Sequence, residues 1–245
     1  MIRRSLIQIR LYSQKVDPTQ AFDFIPAKMS DLADVVDLCT SGLIHDEPHS
    51  RALKLTPQGS RALFEYIAAK ALHYPYSYRI NEKKVDRNTR TETSKDAEKW
   101  GSNKIIGFRL LSIGHRDHTL DIEPVPFVEP TEPGAVRLCE ILDESKGKFW
   151  KLVDPAVTKV IRREITYVVP QHQRKGIANH LVHLGLNFEE LKKQGIHGIT
   201  SEASSLANQR LLTKHGYTCI SRPNYKLDMF DGNEGVMVFF KDLRK

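Results

Sequence analysis

Apolar positions along the chain switch between two spacings, every second residue for strands and every third or fourth for helices. Phe22-Asp23-Phe24-Ile25 alternates and predicts a strand. Leu32, Val35, Val36 and Cys39 follow at i, i+3, i+4 and i+7, a helix that Ser30 would cap and Gly42 would end. Thr56-Pro57 opens a second helix, with Phe64, Ile67, Ala68 and Ala71 on its apolar face. Residues 76–80 and 105–111 read as paired strands, and Leu138, Ile141 and Leu142 predict a helix over 135–150. The last third is the most regular. A strand over 164–169 leads into Ile177, Leu181, Leu184, Phe188 and Leu191, which step by four and three like one long amphipathic helix closed by Gly195. A strand over 196–201, a helix over 205–214 ended by Gly216, and strands over 217–220 and 236–240 complete the order β–α–α–β–β–α–β–α–β–α–β–β. Alternating strands and helices of this kind make a mixed α/β domain.

Two stretches break the pattern. Residues 82–103 are mostly charged or hydroxylated, and residues 121–134 carry Pro124, Pro126, Pro130 and Pro133, so both read as surface loops. Residues 1–20 also stand apart. Arg3, Arg4, Arg10 and Lys15 face Asp17 alone, which is +3 of the net +7 carried by 245 residues. Arginine-rich, serine-containing and acid-poor is the composition of a mitochondrial transit peptide, and Arg10-Leu11-Tyr12-Ser13 resembles a matrix-protease site; a flexible basic tail is the plainer reading. The remaining charge is too diffuse for a nucleic-acid partner, and no apolar run is long enough to span a membrane. Cys39, Cys139 and Cys219 have neither metal spacing nor a disulfide framework, which points to a reducing compartment. The expected location is intracellular, cytoplasmic or mitochondrial, with no metal.

The chemistry gathers at the turn Pro170–Asn179. A strand that runs through a short turn into a helix leaves main-chain N–H groups free for an anion. Gly176 allows close approach of the backbone, Ala178 keeps the first turn bare, and Arg174 and Lys175 add positive charge. The spacing is neither GxxxxGK[ST] nor GxGxxG.

Gln173-x-x-Gly176-x-Ala178 resembles motif A of the GNAT acetyltransferase superfamily. Residues 202–217, ending Lys214-His215-Gly216-Tyr217, resemble its motif B. The resemblance implies a single α/β domain over 21–245, a GNAT-like mixed, centrally splayed β-sheet flanked by helices. It also implies acetyl-CoA as cosubstrate. Gln173, Arg174, Lys175, Gly176, Ile177 and Ala178 would cradle the pyrophosphate. Main-chain groups of Val168 and Val169 would hold the pantetheine arm, and Asn208 would add a cofactor contact. Many members place a tyrosine four residues before the motif B glycine as acid to the thiolate; this chain has Leu212 there.

His45-Asp46-Glu47-Pro48-His49 resembles the Asp-Glu-Pro segment of the invertebrate-type arylalkylamine, or dopamine, N-acetyltransferases. That likeness implies Glu47 as catalytic base; His45 and His49 flank it in the sequence and are rival bases on their own chemistry. The same group carries a Ser-Ser-x-x-Ser run with catalytic roles for its first and last serines. Here the matching residues are Ser204 and Asn208, and an amide cannot relay a proton as a hydroxyl can. The implied reaction is direct acetyl transfer to a small primary amine, with an arylalkylamine as the acceptor the likeness points to. Polyamines or protein amino groups are alternative acceptors, and a non-catalytic CoA-binding module is the alternative outside enzymes. Oligomeric state is not legible.

Overall fold

In the computed structural model, which describes residues 17–83, 104–229, 232 and 234–245, the alternating segments pair into one seven-stranded sheet. The elements run β1 (Phe22–Pro26), α1 (Leu32–Leu38), α2 (Ile44–Asp46), α3 (Pro48–Ala52), α4 (Pro57–Leu72), β2 (Tyr78–Glu82), β3 (Ile105–His115), α5 (Pro133–Leu152), β4 (Lys159–Val168), α6 (Ile177–Leu181), α7 (Phe188–Lys193), β5 (Gly198–Ala203), α8 (Leu206–Lys214), β6 (Thr218–Ser221) and β7 (Met237–Asp242). Across the sheet the order is β1-β2-β3-β4-β5-β7-β6. β4 and β5 pair in parallel, and the other neighbours pair antiparallel. Helices cover both faces. Val35, Phe64, Ala68 and Leu138 pack with Phe108 on one side; Val182, Leu191 and Leu212 pack with Ile161 and Ile199 on the other. Among the described residues no helix is long and apolar enough to cross a membrane. The basic leader up to residue 16 and the polar loop over 84–103 lie outside the described residues.

The site is set by where β4 and β5 part. Their last rung is Arg163↔Ser201. β4 continues to Val168, held on its other side by β3 as far as Gly107↔Val168. Residues 164–168 therefore have one paired edge and one free edge. A register shift adds to this: Leu111 faces Arg163 and Leu110 faces Ile165, so Glu164 is the extra residue of a bulge.

Three expectations are corrected. β4 begins at Lys159, not Glu164. The run Lys159-Val-Ile-Arg-Arg-Glu looks too charged for a core strand, yet Arg162 and Arg163 are each only 4% exposed. Arg162 meets Asp121 at 3.5 Å, and Arg163 Nη1 donates to the Val182 carbonyl at 2.9 Å, so burial leaves both with partners.

The first helix does not end at Gly42. It passes through a π turn over Cys39–Leu43 into α2, and Ser30 lies within a 3₁₀ turn. Gly42 serves a neighbour instead: a Cβ there would sit 2.7 Å from the Tyr167 hydroxyl.

The long helix after the turn is broken into α6 and α7. Gly185 takes φ +69°, and the Asn187 side chain caps α7 by accepting from Glu189 N at 3.1 Å and Glu190 N at 3.3 Å. Two buried arginines take the carbonyls that the break releases. Arg163 binds that of Val182, and Arg109, wholly buried, binds those of Leu181 and Leu184. The four-three spacing still describes which residues face the sheet, because the break falls between two helical turns on the same face.

His183, in that break, packs against Phe188, His215 and Tyr217. Burial, then the neighbouring His215 and Lys241, push its ring down to about 4. The unfolded chain protonates the same ring near its ordinary value of about 6.5, so the unfolded state binds more protons between those values. Stability should fall as pH drops from about 6.5 to about 4. His183→Gln should flatten that fall by roughly 1–2 kcal/mol, after allowing for the ring's partial exposure. Thermal melts of both proteins across this range check it, and parallel curves would contradict it.

Candidate active site

Main-chain groups alternate sides along a strand. Val169 donates its N–H to the Ile106 carbonyl at 2.9 Å, so it faces β3. Val168, one residue back, faces the free edge, and its carbonyl accepts from Gln173 Nε2 at 2.9 Å. Thr166 shares that parity. The exposed main-chain edge is thus Thr166 and Val168, and Val169 belongs to the sheet.

Beyond it a 3₁₀ turn over Pro170–His172 leads to Arg174 at φ +61° and Gly176 at φ +82°, which precedes α6. Left-handed backbone at two places in one short turn curls its N–H groups toward a common space. With only five residues, α6 adds little dipole, so the turn's own N–H groups carry any anion contact.

A cavity of about 490 Å³ lies along this edge. Of the expected cofactor residues, Val168, Gln173, Arg174, Gly176, Ile177, Ala178 and Asn208 line it. Val169 and Lys175 do not. Lys175 Nζ is instead 3.3 Å from His172 Nδ1 and 5.8 Å from the centre of the Phe22 ring.

A second cavity, about 150 Å³, adjoins the first. Its walls include the apolar side chains of Phe64, Ile67, Leu138 and Leu142, and it contains His49, Glu164, Glu202 and Ser204. Six residues line both cavities: Leu43, Glu47, Arg163, Thr166, Ser205 and Asn208. Glu47 is the one carboxylate among them.

The local sequence explains the position of Glu47. Pro48 at the first position of α3 ends α2 and turns Glu47 extended, at φ −79° and ψ 126°. Its carboxylate caps α3, accepting from His49 N at 2.9 Å and Ser50 N at 2.5 Å. The Asp-Glu-Pro segment is therefore a helix kink rather than a loop. Each oxygen keeps a lone pair beyond its N–H bond, and the side chain borders both cavities.

The rival histidines separate. His45 is exposed and lines neither cavity. His49 is 3% exposed and lines the smaller one, and burial pushes its ring down, so it stays neutral. Asp46 borders the larger cavity and accepts the Tyr167 hydroxyl at 2.5 Å. Burial and that carboxylate push the tyrosine hydroxyl up, which keeps its proton in place.

Motif B divides its labour differently from expectation. Ser205 caps α8 through Asn208 N at 3.2 Å, while Ser204 lines only the smaller cavity. Leu212 is fully buried in the core and offers no acid. Thr166, Arg163, Glu164 and Glu202 escaped sequence reasoning. Strand parity from Val168 finds Thr166, but the bulge that places Glu164 leaves no mark in the pattern.

No family model matches the chain, and no curated protein matches it. Solved structures do. Arylalkylamine N-acetyltransferase 2 from Aedes aegypti superposes with a TM-score of 0.63 at 19% identity, over 91% of this chain and 99% of that one. The chain has the GNAT fold. A polyamine N-acetyltransferase from Drosophila melanogaster shares it, with a TM-score of 0.60 at 10% identity over 90% of this chain and 99% of that one. So does the C-terminal condensation domain of Ebony, solved with β-alanyl-dopamine, with a TM-score of 0.61 at 13% identity over 90% and 98%. In this fold the two cavities share Glu47 in their walls, and the larger one also holds the turn and the free edge of β4.

Proposed function

We propose that this protein is an acetyl-CoA-dependent N-acetyltransferase that passes the acetyl group directly to the primary amine of a small molecule. The observation that carries the reading is Glu47, the carboxylate that borders both cavities. Acetyl-CoA would occupy the larger one as cosubstrate. Gln173, Arg174, Gly176, Ile177 and Ala178 would hold its pyrophosphate, and the free edge at Thr166 and Val168 its pantetheine arm. The amine takes the smaller one. A volume of about 150 Å³ suits a small amine better than a protein chain.

An alkylamine arrives as an ammonium with a pKa near 10.4 and has no lone pair for attack. Glu47 accepts its proton. The two cavities then hold the free amine against the thioester carbon, and such positioning is worth up to about 7–11 kcal/mol. As the carbonyl becomes tetrahedral, the Val168 N–H on the free edge supports the oxyanion. After attack the nitrogen still carries a second proton to lose, and with Leu212 where many of these enzymes carry a tyrosine, that proton passes to the departing thiolate. A thiol of pKa near 8.5 needs little help from a protein acid. The cysteines take no part: Cys39 is buried, and burial pushes its thiol well up.

Thiol release from acetyl-CoA, followed with a panel of primary, secondary and tertiary amines, tests this. Release with small primary amines and none with tertiary ones is expected. Tight acetyl-CoA binding with no release by any amine would leave a CoA-binding module instead.

A further inference from the structure

Glu47 stands between two very short helices, α2 of three residues and α3 of five, and the π turn over Cys39–Leu43 precedes them. Helices of about one turn do not hold themselves together, so the place of Glu47 depends on what the segment is fastened to. Leu43 and Ile44 bury its apolar side in the core. Glu47 itself bonds only to near neighbours in the chain: its N–H donates to the Leu43 carbonyl at 2.8 Å, and its carboxylate caps α3. A polar tie across the fold comes one residue earlier. The Tyr167 hydroxyl donates to Asp46 at 2.5 Å, from 121 positions further along the chain. Such a bond, from a hydroxyl to an ionised carboxylate, is the short and strong kind. Asp46 is exposed and borders the larger cavity, but Tyr167 is a rigid partner for it. Its main chain pairs with Phe108 of β3, its ring lies 6.2 Å from the Phe108 ring, and it is buried. It stands between Thr166 and Val168, whose main chains form the free edge of β4. Gly42 leaves room for the bond, since a Cβ there would meet the hydroxyl at 2.7 Å.

We propose that Tyr167 is a positioning residue, which through Asp46 fixes Glu47 relative to the free edge of β4. This rests on the reading of Glu47 as the base in acetyl transfer. One strand residue then sets both halves of the reaction: its neighbours in the chain face the cofactor, and its hydroxyl holds the segment that carries the base. Tyr167 moves no proton itself. Burial and the Asp46 carboxylate keep its own proton in place, so it does not replace the acid that is missing at Leu212.

A double-mutant cycle between Tyr167 and Glu47 tests it. Tyr167→Phe keeps the ring and removes the hydroxyl. It should lower kcat by about 10–100-fold, the scale of a misplaced reacting group, and leave the KM for acetyl-CoA within about threefold. In a Glu47→Gln background the same change should alter kcat by less than about threefold, because a base already lost cannot be misplaced further. Gly42→Ala keeps the hydroxyl but crowds it, so it should lower kcat in the wild type and much less in Tyr167→Phe. Asp46→Asn can still accept from the hydroxyl and should retain more of kcat than Asp46→Ala, which cannot. That pair reads the same bond should Tyr167→Phe fail to fold. Wild-type kcat in Tyr167→Phe or in Asp46→Ala, or losses that add in full across the cycle, overturn the positioning role and leave Glu47 as base. Wild-type kcat in Glu47→Gln, or no transfer to any amine, overturns the base reading and the positioning role with it.

Discussion

Glu47→Gln should lower kcat by about 10²–10⁴-fold, or roughly 2.7–5.4 kcal/mol of barrier, the usual worth of a general base. The amide is close in shape to the carboxylate but cannot take the ammonium proton. The KM for acetyl-CoA should barely move, because Glu47 only borders the larger cavity, where the turn at Gln173–Ala178 and the free edge of β4 supply the proposed cofactor contacts. The deficit should shrink as pH rises toward the amine's own pKa near 10.4, where free amine arrives unaided. Glu47 also caps α3 through His49 N and Ser50 N, so the substitution has a structural cost. One N–H keeps an acceptor while the other meets an amide NH₂, a loss of about 1 kcal/mol that a thermal melt would register. A pH-dependent rate loss separates the two effects, since a lost cap has no reason to recover at high pH. His45→Gln and His49→Gln are the controls. His45 is exposed and away from both cavities and should change nothing. If Glu47→Gln holds kcat within about threefold across pH 6–9 while His49→Gln collapses, the buried imidazole is the base.

The second large effect belongs to the turn. Gly176→Glu should weaken CoA binding by on the order of 100-fold or more, about 2.7 kcal/mol. Two causes act together. Gly176 sits at φ +82°, where any side chain is strained, and a carboxylate there would face the pyrophosphate. Gly176→Gln tests the first cause alone, because glutamine is strained on that backbone as glutamate is but carries no charge; it should lose less. Lys175→Ala provides the contrast. By sequence Lys175 stands beside Arg174 as a phosphate ligand, but its side chain turns to His172 and Phe22. Its removal should alter affinity by no more than about threefold, the scale of an exposed charge. Arg174→Ala, which removes a side chain of the cavity wall, should cost more. Equal losses for Lys175 and Arg174 in calorimetry would contradict the assignment of the groove.

Those contrasts show what the residue pattern could and could not carry. Period-two and period-four spacings are local, and so β1, α4, the turn at Gly176 and α8 are legible: each rests on neighbours within one or two turns of chain. The cap at Thr56 and the stop at Gly216 are local in the same way. What escaped depends on contacts across the fold. The start of β4 was hidden because Arg162 and Arg163 look like surface residues until Asp121 and the Val182 carbonyl are brought to them. The break between α6 and α7 follows from Gly185, Asn187 and two arginines from the sheet, and only the first two lie in the helix itself. Glu47 was found from its motif, but its place between two cavities depends on α3 reaching the fork of the sheet. Glu164 and Glu202 were missed because a bulge and a strand parting have no spacing of their own.

Initial velocities over a grid of acetyl-CoA and amine concentrations, with the amine product and the protein both weighed by mass spectrometry, test the central claim most directly. Direct transfer at the junction of the two cavities predicts intersecting reciprocal plots, one amide formed for each CoA released, and unmodified protein when acetyl-CoA is supplied alone. Parallel plots with an acetylated protein, or CoA released without any amide, would contradict it.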